Sequence, residues 1–218
     1  MFRVVLYGQW KWSRIVVILG SVAGFALPIL SVQGATSDPQ RAMKAGELLS
    51  VIRSWGVLYP VLAAAIGLLI AIATWTPDHR GRHVLALSLP LPRWRYVLLR
   101  FTAGLVLLVP TMLGVLAGAL LASATATLPP GLETYPVALA IRFALALAVA
   151  YAVFFAISAG TTRTAGIILG LIGTVIVVQV VASTAGIELD LTSPVQAVVM
   201  NWPGPLAIFT GRWMLIDV

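Results

Sequence analysis

Five stretches of the chain are long runs of apolar residues, and the polar residues gather between them. The runs are Ile15 to Ala35, Trp55 to Trp75, Val97 to Ala122, Val137 to Ser158 and Ala165 to Ala185. A helix needs about 20 mainly apolar residues to cross a bilayer, so each run predicts a spanning helix. None of the runs contains an acid. Pro28, Pro60 and Pro110 fall inside the first three, where membrane helices tolerate proline and kink at it. The first run has a basic start and small residues near Gly34 and Ala35, as a secretory leader does. Its apolar core is longer than a leader's, and it is read as a span.

The two ends of the chain carry different patterns. In residues 1–14, Phe2, Val5, Leu6, Trp10 and Trp12 interleave with Arg3, Gln9, Lys11 and Arg14. Apolar positions at helical spacing on a basic segment predict an interfacial helix on an anionic leaflet. Near the C-terminus, Asn201-Trp202-Pro203-Gly204-Pro205 breaks any helix. Leu206 to Ile216 is then too short to span and contains Arg212. Trp202 and Trp213 suit a membrane–water boundary, so residues 194–218 are expected to form an outer interfacial tail. Residues 1–218 thus read as a single transmembrane domain.

Composition narrows the class. Hydrophobic residues are 60% of the chain and charged residues 10%, and the mean hydropathy is +1.01. A soluble domain carries about 25% charged residues to cover its surface, so the expectation is an integral membrane protein. The absence of cysteine excludes disulfides, thiolate metal sites and cysteine nucleophiles. In a membrane protein the formal net charge of +7 is a topology signal rather than a sign of nucleic acid as a partner.

The basic residues are unevenly placed. With the N-terminus inside, the inner side holds Arg3, Lys11, Arg14, Arg80, Arg82, Arg93, Arg95, Arg100 and Arg163 against the single acid Asp78. The outer side holds Arg41, Lys44, Arg53, Arg142 and Arg212 against six acids. Cytoplasmic loops are the Lys/Arg-rich ones, so the N-terminus is expected to be cytoplasmic, in a multi-pass plasma (bacterial inner) membrane protein.

Candidate chemistry is sparse. No Walker-type glycine loop is present, so the chain is not expected to hydrolyse ATP by itself. No Ser/His/Asp set stands at recognisable spacing, and all seven acids read as loop or tail residues. Ion-coupled carriers place such groups inside the membrane. His79 and His83 stand at i,i+4, but Arg80 and Arg82 oppose a cation there and the ligand count is low. No cofactor and no metal are expected. Small-residue pairs recur at i,i+4, namely Gly20/Gly24, Gly114/Gly118 and Gly166/Gly170. That spacing lets helix backbones approach closely, within one subunit or between two. Gln179 is the main polar side chain deep in the fifth run, placed to bond a neighbouring helix or to line a path.

The loop over residues 76–96 is the most distinctive stretch. It reads TPDHRGRHVLALSLPLPRWRY, with Arg80, Arg82, Arg93 and Arg95 around the apolar Val84 to Leu89. Gly81 and Pro90 bound a short amphipathic helix. Such a helix presses its apolar face on a partner protein or lies on the membrane surface, and the residues alone leave both open.

The succession from the second span through this loop is similar to the permease subunits of the ABC-2 (type V) export class of ABC transporters. The matching run is Asp78-His79-Arg80-Gly81-Arg82, then Val84 to Pro90, then Arg93 through Arg100. An acidic residue of that family maps onto Asp78, and the N-terminal interfacial helix matches its layout. The resemblance is motif-specific across about 25 residues and covers the rest of the chain as topology. It implies that the loop docks into a separate cytoplasmic ABC ATPase, with Leu85 and Leu87 as contact residues and Arg80, Arg82 and Arg93 beside them. It also implies a second permease subunit, in a homo- or heterodimer. The family has six spanning helices, and here the sixth would begin near Gly211-Arg212-Trp213. The expected fold is therefore an all-α polytopic bundle with five full transmembrane helices plus an N-terminal interfacial helix, the sixth helix missing from this chain. The expected function is the permease subunit of an ATP-driven exporter, not itself an enzyme. The alternatives are a non-transporting anchoring or assembly subunit, and a small membrane-embedded lipid enzyme. The near-absence of polar groups in the runs suits a lipid-like or amphipathic substrate better than an ion.

Overall fold

A computed structural model describes residues 1–36, 45–80, 92–126, 128, 131–159, 162–184, 206–210 and 213–217. Among the described residues the chain is all-α apart from one two-residue ladder. The helices are α1 (Phe2–Thr36), α2 (Ala45–Gly56), α3 (Leu58–Arg80), α4 (Arg93–Thr125), α5 (Pro136–Ser158) and α6 (Thr162–Thr184). A 3-10 turn covers Ala207–Phe209, and the strands β1 (Glu133–Thr134) and β2 (Ile216–Asp217) pair antiparallel, Glu133 with Asp217 and Thr134 with Ile216.

Among the described residues, four segments are long and apolar enough to cross a membrane: Phe2–Gln33, Leu49–Asp78, Arg93–Thr125 and Pro136–Ser158. Their outer faces carry exposed Ile15, Leu19, Leu113, Ile141 and Leu145. An apolar exterior of this extent is a lipid-facing surface, since soluble monomers rarely expose large contiguous apolar patches. The fifth predicted run also forms a helix, α6, which exposes Ile167 and Leu171 and makes few contacts, chiefly with α5.

The N-terminal segment differs from its expectation. Residues 1–14 do not form a separate interfacial helix, because α1 runs unbroken from Phe2 to Thr36. Nothing in that stretch stops a helix, since its one glycine, Gly8, is not accompanied by proline. At about 1.5 Å per residue the helix exceeds the hydrocarbon thickness, so its basic first turns extend beyond the apolar core. The second run also departs from a simple span. Gly56 ends α2, Val57 is a turn, and Pro60 sits in the first turn of α3, where its missing N–H costs nothing.

The bundle is organised by α1 along α4 and by α3 along α5. The α1–α4 seam is built on glycine. A side chain at Gly118 would collide with the Phe25 carbonyl, and a Cβ at Gly114 would lie 2.6 Å from the Ser21 carbonyl oxygen. From the other side, a Cβ at Gly24 would stand 2.9 Å from a Val115 methyl. Two of the predicted glycine pairs thus face each other within one subunit, and this backbone-to-backbone approach is what such pairs permit. No described residue comes within 4 Å of a Cβ at Gly166 or Gly170. Phe143, Leu147, Leu108, Ile70 and Tyr151 fill the centre, all fully buried.

The C-terminal stretch is not a surface-lying tail in its described residues. Trp213, Leu215 and Ile216 are buried. The Trp213 ring stacks on Tyr59 with centroids 6.3 Å apart, and the Arg142 guanidinium lies 4.6 Å over it. Arg142 also donates to the carbonyls of Ile208 and Thr210, and the Tyr135 N–H donates to the Leu215 carbonyl at 2.8 Å. Gly56 lets the Trp213 backbone sit directly on the end of α2, where any larger residue would collide with the Trp213 carbonyl. Beside this closure the exposed Tyr135 hydroxyl donates to Glu133 at 3.2 Å, and that carboxylate raises the phenol pKa.

Candidate functional site: a buried ion pair between α3 and α4

About 28 Å along α3 from Tyr59, at 1.5 Å per residue, lies the most polar part of the interior. Asp78 is in the last turn of α3 and is 2% exposed, and Arg100 is in the third turn of α4 and is 6% exposed. Arg100 Nη2 donates to Asp78 Oδ1 at 2.8 Å. The Tyr96 hydroxyl, one turn before Arg100, donates to the same carboxylate with both oxygens at 3.0 Å. Arg100 Nη1 donates to the Thr74 carbonyl, and its charge sits over the rings of Tyr96 (4.9 Å) and Trp75 (5.5 Å).

Asp78 is therefore not a loop acid, as its place after the second run suggested. Pro77 does not end α3, which continues to Arg80 and carries the carboxylate into the bundle. Proline removes one N–H and weakens the local ladder. The exposed carbonyls at a helix C-terminus attract a cation, and Arg100 supplies it. A carboxylate alone at that end would oppose the helix dipole, so the cation is needed twice.

The third helix joins through Gln9 of α1. Its Nε2 donates to the Arg100 carbonyl at 3.1 Å, and Ser13 Oγ donates to the Gln9 carbonyl at 2.8 Å. Both residues are buried. On the inward side, Trp75, Phe101, Tyr151 and Phe155 form an aromatic layer with centroid separations of 5.1 to 5.5 Å, and Trp75 Nε1 donates to the Phe155 carbonyl at 3.2 Å. The layer shields the ion pair from one side. On the other side a cavity of about 530 Å³ opens between α1, α3 and α4, lined by Val4, Gly8, Gln9, Trp12, Leu99 and Arg100 among others.

The predicted site residues divide at this cluster. Asp78 is central to it, Arg80 ends α3, and Arg93 opens α4 in an exposed position. Gly81, Arg82, Leu85, Leu87 and Pro90 lie outside the described residues. Arg100, Tyr96 and Gln9 were not singled out. The signal for Arg100 was nevertheless in the sequence: an arginine inside an apolar run needs a partner, and Asp78 is the only acid on the same side. Gln179 of α6 has a side-chain oxygen without a partner among the described residues.

No protein-family model, no characterised protein and no solved structure matches this chain.

Proposed function

We propose that this chain is the permease subunit of an ATP-driven ABC exporter of the ABC-2 class, driven by a separate ATPase that docks on residues 81–91. The observation that carries the proposal is the Asp78–Arg100 ion pair, because it ties together the two helices that lead into and out of that segment. A segment whose ends are held at one fixed separation acts as a lever. A push on it moves α3 and α4 together, and Gln9 carries α1 with them. The Gly-packed α1–α4 seam extends that unit across the membrane.

In the full form of the proposal α6 is the fifth span and the N-terminus is cytoplasmic, in the plasma membrane. A second permease subunit completes the path. The ATPase contributes the energy of nucleotide binding and hydrolysis, and this chain contributes the path and the lever. Leu85 and Leu87 enter the ATPase groove, with Arg80, Arg82 and Arg93 around them. An anchoring subunit would hold a partner through the same segment without moving.

Co-purification tests this. The intact chain, extracted in mild detergent, is expected to bring down a protein that carries a Walker ATP site and hydrolyses ATP. Leu85→Asp and Leu87→Asp are expected to lose it. A preparation with no such ATPase, and variants that behave as wild type, would overturn the proposal. A partner retained without ATP-dependent substrate movement in vesicles would favour the anchoring role.

A further inference from the structure

The first four turns of α1 present a basic and aromatic stripe to the outside of the bundle. Arg3, Tyr7, Trp10, Lys11 and Arg14 are all exposed, and at 3.6 residues per turn they fall within about 100° of one another around the helix. Ile18 and Val22, also exposed, continue the stripe at i+4 and i+8 from Arg14. Among the described residues no acid pairs with Arg3, Lys11 or Arg14, and the one ion pair there joins Asp78 to Arg100.

The parallel packing of α1 on α4 sets the depth of this stripe. Gln9 bonds to the Arg100 carbonyl, and Ser21 and Phe25 lie against Gly114 and Gly118. That register puts Arg3 near the level of Trp94, Lys11 near Thr102 and Arg14 near Leu105. The other helices are aligned to α4 by Arg100 on Thr74 and by Phe101 on Tyr151. At the level of Lys11 and Arg14 they turn apolar residues outward: Leu98 and Val106 on α4, Ile72 on α3 and Val153 on α5. Arg14 therefore lies about 12 Å inside the start of the α4 apolar run at Val97, at 1.5 Å per residue. A charge at that depth is costly in hydrocarbon, and snorkelling toward the headgroups recovers only part of the cost. An anion drawn in beside it offsets the remainder.

The chemistry of that anion follows from the stripe. Lys11 and Arg14 stand at i,i+3, close enough on one face to share a phosphate. A zwitterionic lipid would bring its own cation into this field, and an anionic phospholipid does not. Tyr7 and Trp10 supply rings of the kind that settle among headgroups. We propose that α1 holds an anionic phospholipid, its phosphate between Lys11 and Arg14 and its acyl chains along Ile18 and Val22. The site lies on α1 and holds whether or not an ATPase docks on residues 81–91.

The test offers the full chain in detergent an equimolar mixture of dioleoylphosphatidylglycerol and dioleoylphosphatidylcholine and counts the retained lipids by native mass spectrometry. Wild type is expected to prefer phosphatidylglycerol by about tenfold or more, the worth of two basic residues at an anionic headgroup. Lys11→Gln and Arg14→Gln should each lower that preference about fivefold, and Lys11→Arg should keep it. Arg95→Gln removes the same charge from the first turn of α4, off the stripe, and should leave the preference unchanged. All three positions are exposed, so the variants fold. Excess inorganic phosphate should not displace the lipid, because it has no chains to lay on Ile18 and Val22. Equal retention of the two lipids, an effect of Arg95→Gln as large as that of Arg14→Gln, or displacement by inorganic phosphate would overturn the proposal.

Discussion

Asp78 and Arg100 are 22 residues apart in sequence and meet at 2.8 Å, with 1% and 7% of their side chains exposed. They join the last turn of α3 to the third turn of α4 and fix the separation of those two helix ends.

Breaking a buried pair on one side is expected to be more harmful than removing it. Arg100→Met leaves the Asp78 carboxylate buried with only Tyr96, and Asp78→Leu leaves the guanidinium buried with only the Thr74 carbonyl. Each single variant should lose about 3–5 kcal/mol, while the double variant should recover a substantial part of that loss. Thermal unfolding of the four proteins in detergent checks this. A double variant that loses the sum of the two singles would mean that the residues do not act as a pair.

The glycine pairs should divide by their surroundings. Gly118→Leu drives a side chain into the Phe25 carbonyl and Gly114→Leu into that of Ser21, so both should be destabilised by about 1–3 kcal/mol or more. Gly166→Leu meets no described residue within 4 Å of its Cβ and should change the stability of the isolated chain by less than about 0.5 kcal/mol. If Gly166→Leu instead abolishes a dimer seen by light scattering, that face packs against the second subunit.

At the opposite end Trp213 closes the bundle on Tyr59 and Arg142. Trp213→Ala should cost about 3–5 kcal/mol, as deletion of a large buried aromatic does. Trp213→Phe keeps a stacked ring and should retain most of the stability. Equal losses in the two variants would show that the indole hydrogen bond to Phe209, rather than the ring contact, matters there.

Topology is directly accessible because the chain has no cysteine. With the N-terminus cytoplasmic, a membrane-impermeant maleimide applied to intact cells should label Glu133→Cys, at an exposed position of the β1–β2 ladder, and leave Arg3→Cys unlabelled until the cells are opened. The reverse pattern would place the N-terminus outside and remove residues 81–91 from reach of a cytoplasmic ATPase.

Most of the helical layout was legible in the sequence, because the need for about 20 apolar residues per span leaves a long local signal. The α1–α4 seam was half legible. Gly20/Gly24 and Gly114/Gly118 stood out by spacing, but spacing alone does not say which pair meets which. Two features were missed for the same reason. Asp78 was read as a loop acid, and the burial of Trp213 was not foreseen, because each finds its partner far along the chain, in Arg100 and in Tyr59 with Arg142. Local pattern reports the helix a residue belongs to. It does not report contacts across 22 residues or more. The continuity of α1 was missed because a basic amphipathic start looks the same whether it lies flat or extends from the span.

The coupling role of residues 81–91 is tested most directly by a single reactive site. Leu85→Cys in this otherwise cysteine-free chain can carry a maleimide–benzophenone photocrosslinker in native membranes. The account predicts one major protein adduct, to a protein carrying a Walker ATP site, diminished when ATP is depleted or when Asp78 and Arg100 are unpaired by Arg100→Met. Crosslinking to lipid alone, or to no ATPase under any nucleotide condition, would contradict it.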